Sequence, residues 1–380
     1  MMNSTQIPKS QSLEIEMAAI WARQAARAAS GGNAQPWVVK IERLSDNRLL
    51  FRLGIDSRYS CRPSPMDVDG KAALMALGCY AVYVEAFAAL AGFEVQSRSL
   101  AAGETAWETE VSLVFRPVVG ARKTKYSEQA LQQRWTDRRV YETAPCPPDL
   151  QRRMQDVLKD YSGIRATSVR SRIEAAIGPL RKLEALRWKN KKFRDSLFEE
   201  IDFSSGKDAG ASRKIPASQL GVEGFDLLFL RLMHRYPALR TILSMGGSEI
   251  VARKTVPRLL RASSGGWFLQ AEVKSNAAVF NLGRCFQELW LVVNDYGYSF
   301  QPIGLPLVAL SYWSGDSCGI GQSPAQTGVL REVTEVLREK FDLDLKELVL
   351  GFRFGATKLS QSVSSRLSPR AEPQIESSKT

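Results

Sequence analysis

Ser30-Gly31-Gly32-Asn33-Ala34-Gln35-Pro36-Trp37 is the stretch on which the reading of this 380-residue chain turns. An Ala-rich run, Met17–Ala29, precedes it, apolar at nearly every position with Arg23 and Arg27 four apart, and predicts a helix. The two glycines end that helix, because glycine takes left-handed backbone angles at no steric cost. Pro36 biases Gln35 toward an extended conformation. Trp37-Val38-Val39-Lys40-Ile41-Glu42-Arg43 then has the β-branched character of a strand. The junction offers small residues, bare amides and the side chains of Ser30, Asn33 and Gln35, which suits a flat polar ligand approached closely by backbone. Pattern alone favours the plainer alternative, an ordinary helix end followed by a strand.

Working outward, Leu49–Gly54 reads as a second strand, joined to the first through Ser45-Asp46-Asn47 as a hairpin. Lys71–Ala91 is a helix apolar all round, hence buried between layers, and Gly92 ends it. Phe93–Ser99 and Trp107–Arg116 read as strands, the latter alternating at Val111, Leu113 and Phe115. Gly120–Lys125 is a polar link and a domain boundary. A short helix then ends in Arg134-Trp135-Thr136-Asp137-Arg138-Arg139-Val140-Tyr141, and Asp149–Tyr161 resumes as a helix. Ser204–Ser212 and Gly246–Gly266 read as irregular, a cover or plain surface loops. Ala277–Tyr296 is a second buried helix closed by Gly297, echoing the first. Leu307–Tyr312 reads as a strand, Gln326–Lys340 as an amphipathic helix and Glu347–Phe354 as an alternating strand. From Lys358 the chain is Ser-rich and polar, with the last dozen residues expected to be disordered.

Composition narrows the function classes. The five cysteines, Cys61, Cys79, Cys146, Cys285 and Cys318, are scattered without a C-x-x-C, which argues for a reducing compartment and against structural zinc. A single histidine, His234, excludes multi-histidine metal sites. The net charge of +12 raises nucleic-acid binding, and Arg181–Arg194 is crowded with basic residues. Leu183, Leu186, Trp188 and Phe193 recur there near helical spacing, so the run reads as an amphipathic helix with a solvated basic face. Anionic small molecules fit the charge equally well. The first dozen residues carry no apolar signal-peptide core, and Ala72–Val84 is too short an uncharged run to span a bilayer. The expectation is a cytoplasmic protein with neither nucleic-acid nor membrane partner.

Several separated segments together resemble one family, the nitroreductase-like flavoproteins that bind FMN. Ser30–Trp37 is similar to that family's Ser-Ser-x-Asn-x-Gln-Pro-Trp loop, and Arg134-x-Thr136-x-Arg138 to its Arg-x-Ser-x-Arg element. Gly283-Arg284 through Gly297, with Gln301-Pro302, resembles the central helix and the turn beneath the flavin. Leu350-Gly351-Phe352 and Ser365-Arg366-Leu367 resemble the closing strand and the basic residue on the phosphate. The Asn loop precedes the Arg element here, an order that resembles the fused, twin-half branch called Acg-like, in which one chain imitates the family's homodimer.

The resemblance implies an α+β fold of two fused halves forming a pseudo-dimer, each with a mostly antiparallel sheet and a central buried helix. Residues 1–122 would form the first half and 123–370 the second, with a lid insertion at about 200–268 and a disordered tail at 371–380. It implies one FMN per chain, as a monomer or a homodimer, held by Ser30, Asn33, Gln35, Arg134, Thr136, Arg138, Gln301, Pro302, Gly304 and Arg366. The flavin N5 would lie near the amides of Ile303 and Gly304, and Trp267 and Phe268 are either lid aromatics or core. Guanidinium forks suit a phosphate, and the cofactor carries the redox chemistry, so no acid–base residue is required. The implied reaction passes hydride from NAD(P)H to an electron-poor acceptor, a nitroaromatic or quinone. Two alternatives stand beside it: an FMN-dependent dehydrogenase acting on a biosynthetic intermediate, and a non-catalytic FMN store.

Overall fold

The computed structural model describes residues 9–57, 64–118, 124–204, 213–242, 247–271, 274–315, 320–357 and 375–377. The chain is α+β, built on two antiparallel sheets and two long buried helices. Helix α1 (Lys9–Ala25) leads to the hairpin β1 (Trp37–Arg43) and β2 (Leu49–Ile55), then to α2 (Lys71–Leu90), β3 (Phe93–Ala101) and β4 (Glu110–Pro117). The second part begins with α3 (Glu128–Gln133), α4 (Pro148–Lys159) and β5 (Ile164–Ser168). A long connection follows, carrying α5 (Ile173–Lys189), α6 (Lys191–Glu199), β6 (Ile201–Asp202), β7 (Ile215–Pro216), α7 (Gly224–Arg235), α8 (Pro237–Ile242) and α9 (Ser248–Arg261). It returns through β8 (Gly265–Ala271) to α10 (Asn276–Asp295), β9 (Ser299–Ile303), α11 (Leu305–Trp313), α12 (Pro324–Phe341), β10 (Val349–Gly355) and β11 (Ile375–Ser377).

The first sheet has the order β11-β1-β2-β4-β3 and the second β5-β8-β10-β9. Matched in chain order, the four strands of the second sheet repeat the order 1-2-4-3 of the first, with every neighbouring pair antiparallel in both. In each case a 20-residue helix, α2 or α10, joins the second strand to the third. The repeat reaches single residues. Gly78 and Gly283 are each the eighth residue of their helix, and the two helices cross there with backbone against backbone. A Cβ on Gly78 would lie 2.1 Å from Phe280 O, and one on Gly283 would lie 1.9 Å from Met75 O. Fourteen residues further on, Gly92 (φ +82) and Gly297 (φ +72) close the helices in left-handed turns. The echo between the halves is thus one of topology and of close-packing glycines.

One core joins both sheets through these helices: Trp21, Phe51 and Phe115 on one side, Phe286, Trp290, Phe300 and Phe352 on the other. A second core lies on the far face of the second sheet, formed with α5, α11 and α12. The segment Val68–Leu90 has the length and apolarity of a membrane span, but most of it is buried inside the fold as α2.

Several elements differ from the sequence reading. The first helix starts at Lys9 and stops at Ala25, the following residues closing in a turn in which Ala28 N donates to Ala25 O. Arg134–Tyr141 is neither helix nor strand, since α3 ends at Gln133. Leu307–Tyr312, read as a strand, lies in helix α11; Pro306 sits in its first turn and every residue from Leu305 to Tyr312 is buried, so no periodicity marks it. Strand β10 does not alternate between core and water. Val349 enters the second core while Leu350, Phe352 and Phe354 enter the first, so both faces are covered. Part of the stretch read as irregular at 246–266 is helix α9. The connection between β5 and β8 begins soon after Ser168, earlier than residue 200, and Trp267 and Phe268 belong to the buried strand β8 and not to a lid. Ile375–Ser377, read as disordered tail, pairs in parallel with Val39–Ile41 of β1.

Candidate functional site

The loop after α1 owes its shape to three left-handed residues in four positions: Gly32 (φ +57), Asn33 (φ +64) and Gln35 (φ +49). Pro36 does not make Gln35 extended as the sequence predicts. Ser30 Oγ accepts from Gln35 N at 3.2 Å, and the Gln35 side chain is buried with its Nε2 donating to Asn33 O at 3.4 Å, which fixes the turn instead. Non-glycine residues in this region cost on the order of 1–3 kcal/mol each and persist where the surroundings enforce them, commonly at binding sites.

The loop forms one wall of a cavity of about 1360 Å³. A second wall is the irregular segment around Arg134–Arg138, and a third is the turn from β9 into α11, Gln301–Leu305. Helices α5, α6, α7 and α9 of the long connection roof it. Ser30, Asn33, Arg134, Thr136, Arg138, Gln301, Pro302, Ile303 and Gly304 all line this one cavity, although they come from three stretches more than a hundred residues apart. Gln35 is buried behind the loop and is not on the wall. Arg366 lies outside the described residues.

Arg134 is braced: Nε and Nη2 donate to Arg27 O at 2.7 and 2.5 Å, and the guanidinium lies 4.4 Å over the Trp290 ring. Arg138 donates from Nη1 to Gln219 O at 2.9 Å, and burial pushes its pKa down to about 10. Among the described residues neither arginine forms an ion pair. Asn33 Nδ2 donates to Lys214 O at 3.1 Å, tying the loop to the roof. A Cβ on Gly32 would stand 2.6 Å from Glu200 Cδ, so glycine there makes room for that side chain. Glu200 Oε1 accepts from Ser64 Oγ and Ser196 Oγ, both at 3.3 Å. Burial, only partly offset by Arg187, raises the Glu200 pKa.

Among the wall residues that sequence reasoning missed are Arg353, Trp290, Arg187 and Glu200. Arg353 is 1% exposed within the otherwise apolar β10, donates from Nε to Gln301 Oε1 at 2.7 Å, and sits 3.8 Å over the Tyr141 ring. Its signal was a lone charge inside a buried strand. Trp290, Arg187 and Glu200 carried none, because each reads as ordinary helix sequence. Trp290 Nε1 and Arg187 Nε are buried donors without a hydrogen-bond partner among the described residues. A large cavity whose wall carries two half-buried arginines without ion pairs among the described residues, beside hydroxyl, amide and aromatic groups, suits an anionic ligand carrying a flat ring system with acceptor edges. FMN has that chemistry, so the residues present fit the cofactor that the resemblance implies.

No protein-family model matches the chain, and no curated protein sequence matches it.

Proposed function

We propose that this chain is an FMN-dependent oxidoreductase of nitroreductase-like fold, its two halves forming a pseudo-dimer, which moves hydride from NAD(P)H to an electron-poor acceptor such as a nitroaromatic or quinone in the cytoplasm. The observation that carries the reading is the meeting of the Asn33 loop, the Arg134–Arg138 segment and the Gln301–Gly304 turn on one cavity. The repeated strand order of the two sheets supports the twin-half part of it.

Bound FMN would supply the hydride-accepting and hydride-donating centre. The chain's own groups hold and orient it. Arg138, with one guanidinium nitrogen engaged, offers the remaining donors to the phosphate. Arg134 adds its charge from a fixed position against the end of α1. Ser30 and Thr136 offer hydroxyls, Asn33 an amide, and the amides of Ile303 and Gly304 precede a helix whose first N–H groups lack intrahelical partners. The roof helices exclude water, and Glu200, with its raised pKa, retains a proton more readily than an exposed carboxylate.

The test is the visible absorption spectrum of the purified protein before and after anaerobic NADPH or NADH. Flavin bands near stoichiometric amount that bleach support the reductase. Bands that persist favour the dehydrogenase or the FMN store. A colourless protein that takes up no FMN on incubation overturns the proposal.

A further inference from the structure

Helix α7 is apolar on two faces. Its inner face, Phe229, Leu230 and Met233, packs in a small cluster with Trp188 and Phe198 and lines the cavity. Its outer face points to solvent: Phe225 is 78% exposed, Leu228 53%, Leu232 40%, and Tyr236, just beyond the last turn, 52%. Spacings of three, four and four residues put these on one stripe along the helix. Of the nine large apolar side chains that are exposed among the described residues, these four fall within twelve positions, and the rest are spread over the fold. A helix that has already covered one apolar face has no folding reason to carry a second.

The charges beside the stripe indicate what covers it. Arg231 and Arg235 are exposed on its flank and form no ion pair among the described residues, and the Arg235 guanidinium lies 6.0 Å over the Tyr236 ring. The one acidic residue of α7, Asp226, lies off the stripe on the cavity side and is held by Lys254 of α9 at 2.8 Å. A second copy of the chain docking by the same stripe would bring arginines toward arginines across a two-fold axis. An aliphatic and aromatic stripe edged by cations, on a chain of net charge +12, complements an anionic lipid surface.

We propose that α7 docks this protein on anionic membrane surfaces, seating Phe225, Leu228, Leu232 and Tyr236 at the headgroup–acyl boundary with Arg231 and Arg235 on lipid phosphates. This departs from the sequence expectation of no membrane partner. It does not depend on a bound flavin. If the proposed function also holds, the helix that meets the lipid is the one that roofs the cavity, and a lipid-soluble acceptor is within its reach.

The test is flotation of the full chain with vesicles of phosphatidylcholine, alone or with about a third phosphatidylserine. The expected result is flotation with phosphatidylserine only, reversed by high salt. Removing charge in R231Q or R235Q weakens binding about fivefold each. The triple variant F225S/L228S/L232S loses it, with an unchanged circular dichroism spectrum. If the triple variant does not fold, the two arginine variants decide the matter alone. Absence of flotation, equal flotation on neutral vesicles, or a dimer in solution that the triple variant dissociates overturns the proposal.

Discussion

Glu200 rests against Gly32, where an added Cβ would stand 2.6 Å from its Cδ, and accepts from two hydroxyls on one oxygen. Burial is the largest influence and raises its pKa above the usual 4.5; Arg187 and Arg138 pull the other way without cancelling it. The folded state therefore binds this proton more tightly than the unfolded chain does. Its stability contribution is complete below pH 4.5 and is lost as pH rises through the elevated folded value. Glu200→Gln, which cannot ionise, is expected to melt higher than the parent at neutral pH, with the difference closing toward pH 4.5. A variant less stable than the parent at neutral pH would show that the carboxylate is needed as a counter-charge to the arginines. Arg138 gives a complementary test. Arg138→Gln keeps a donor but loses the charge, and FMN binding is expected to weaken by about 1.5–3 kcal/mol, measured by fluorescence titration of the apoprotein.

The elements that the sequence announced clearly are those with one unambiguous cue. The hairpin β1–β2 carried Asp46-Asn47, both of which take left-handed angles, and α2 and α10 were long and apolar beyond any strand. Helix α11 was misread because eight consecutive buried residues, Leu305 to Tyr312, have no period. The crossing of α2 over α10 was invisible for a related reason: Gly78 and Gly283 mark a contact between segments two hundred residues apart, and sequence shows only two glycines in helices. That contact sets a prediction for the element. At Gly283 an added methyl meets a carbonyl oxygen at 1.9 Å, and helix backbone cannot move aside without opening the core. Gly283→Ala is expected to cost about 3 kcal/mol or more in chemical denaturation. Gly328, within α12 and with nothing within 4 Å of its missing Cβ, supplies the opposite sign. Gly328→Ala is expected to stabilise by about 0.5–1 kcal/mol, because only the backbone entropy of glycine is removed.

At the scale of the molecule, the cavity lies between the part of the chain ending near residue 118 and the part that follows, so neither part alone holds the complete wall. Ser30, Asn33, Arg134, Thr136, Arg138, Gln301, Pro302 and Gly304, singled out in the sequence by a resemblance of short segments to one family's motifs, all line this cavity. The roof was not legible in the sequence, since α5, α6, α7 and α9 arrive by tertiary packing and carry no motif. A ligand held between these walls binds the folded state and not the unfolded chain, and stability must then follow its concentration. If FMN is that ligand, as proposed, adding it to FMN-free protein at about a hundredfold over its dissociation constant is expected to contribute about 2.7 kcal/mol, seen as a melting temperature raised by a few degrees. Arg138→Gln should flatten that dependence while leaving the melting temperature of the FMN-free protein nearly unchanged. If the melting temperature of the parent does not respond to FMN at any concentration, the cavity is not built for the cofactor, whatever its volume and charge.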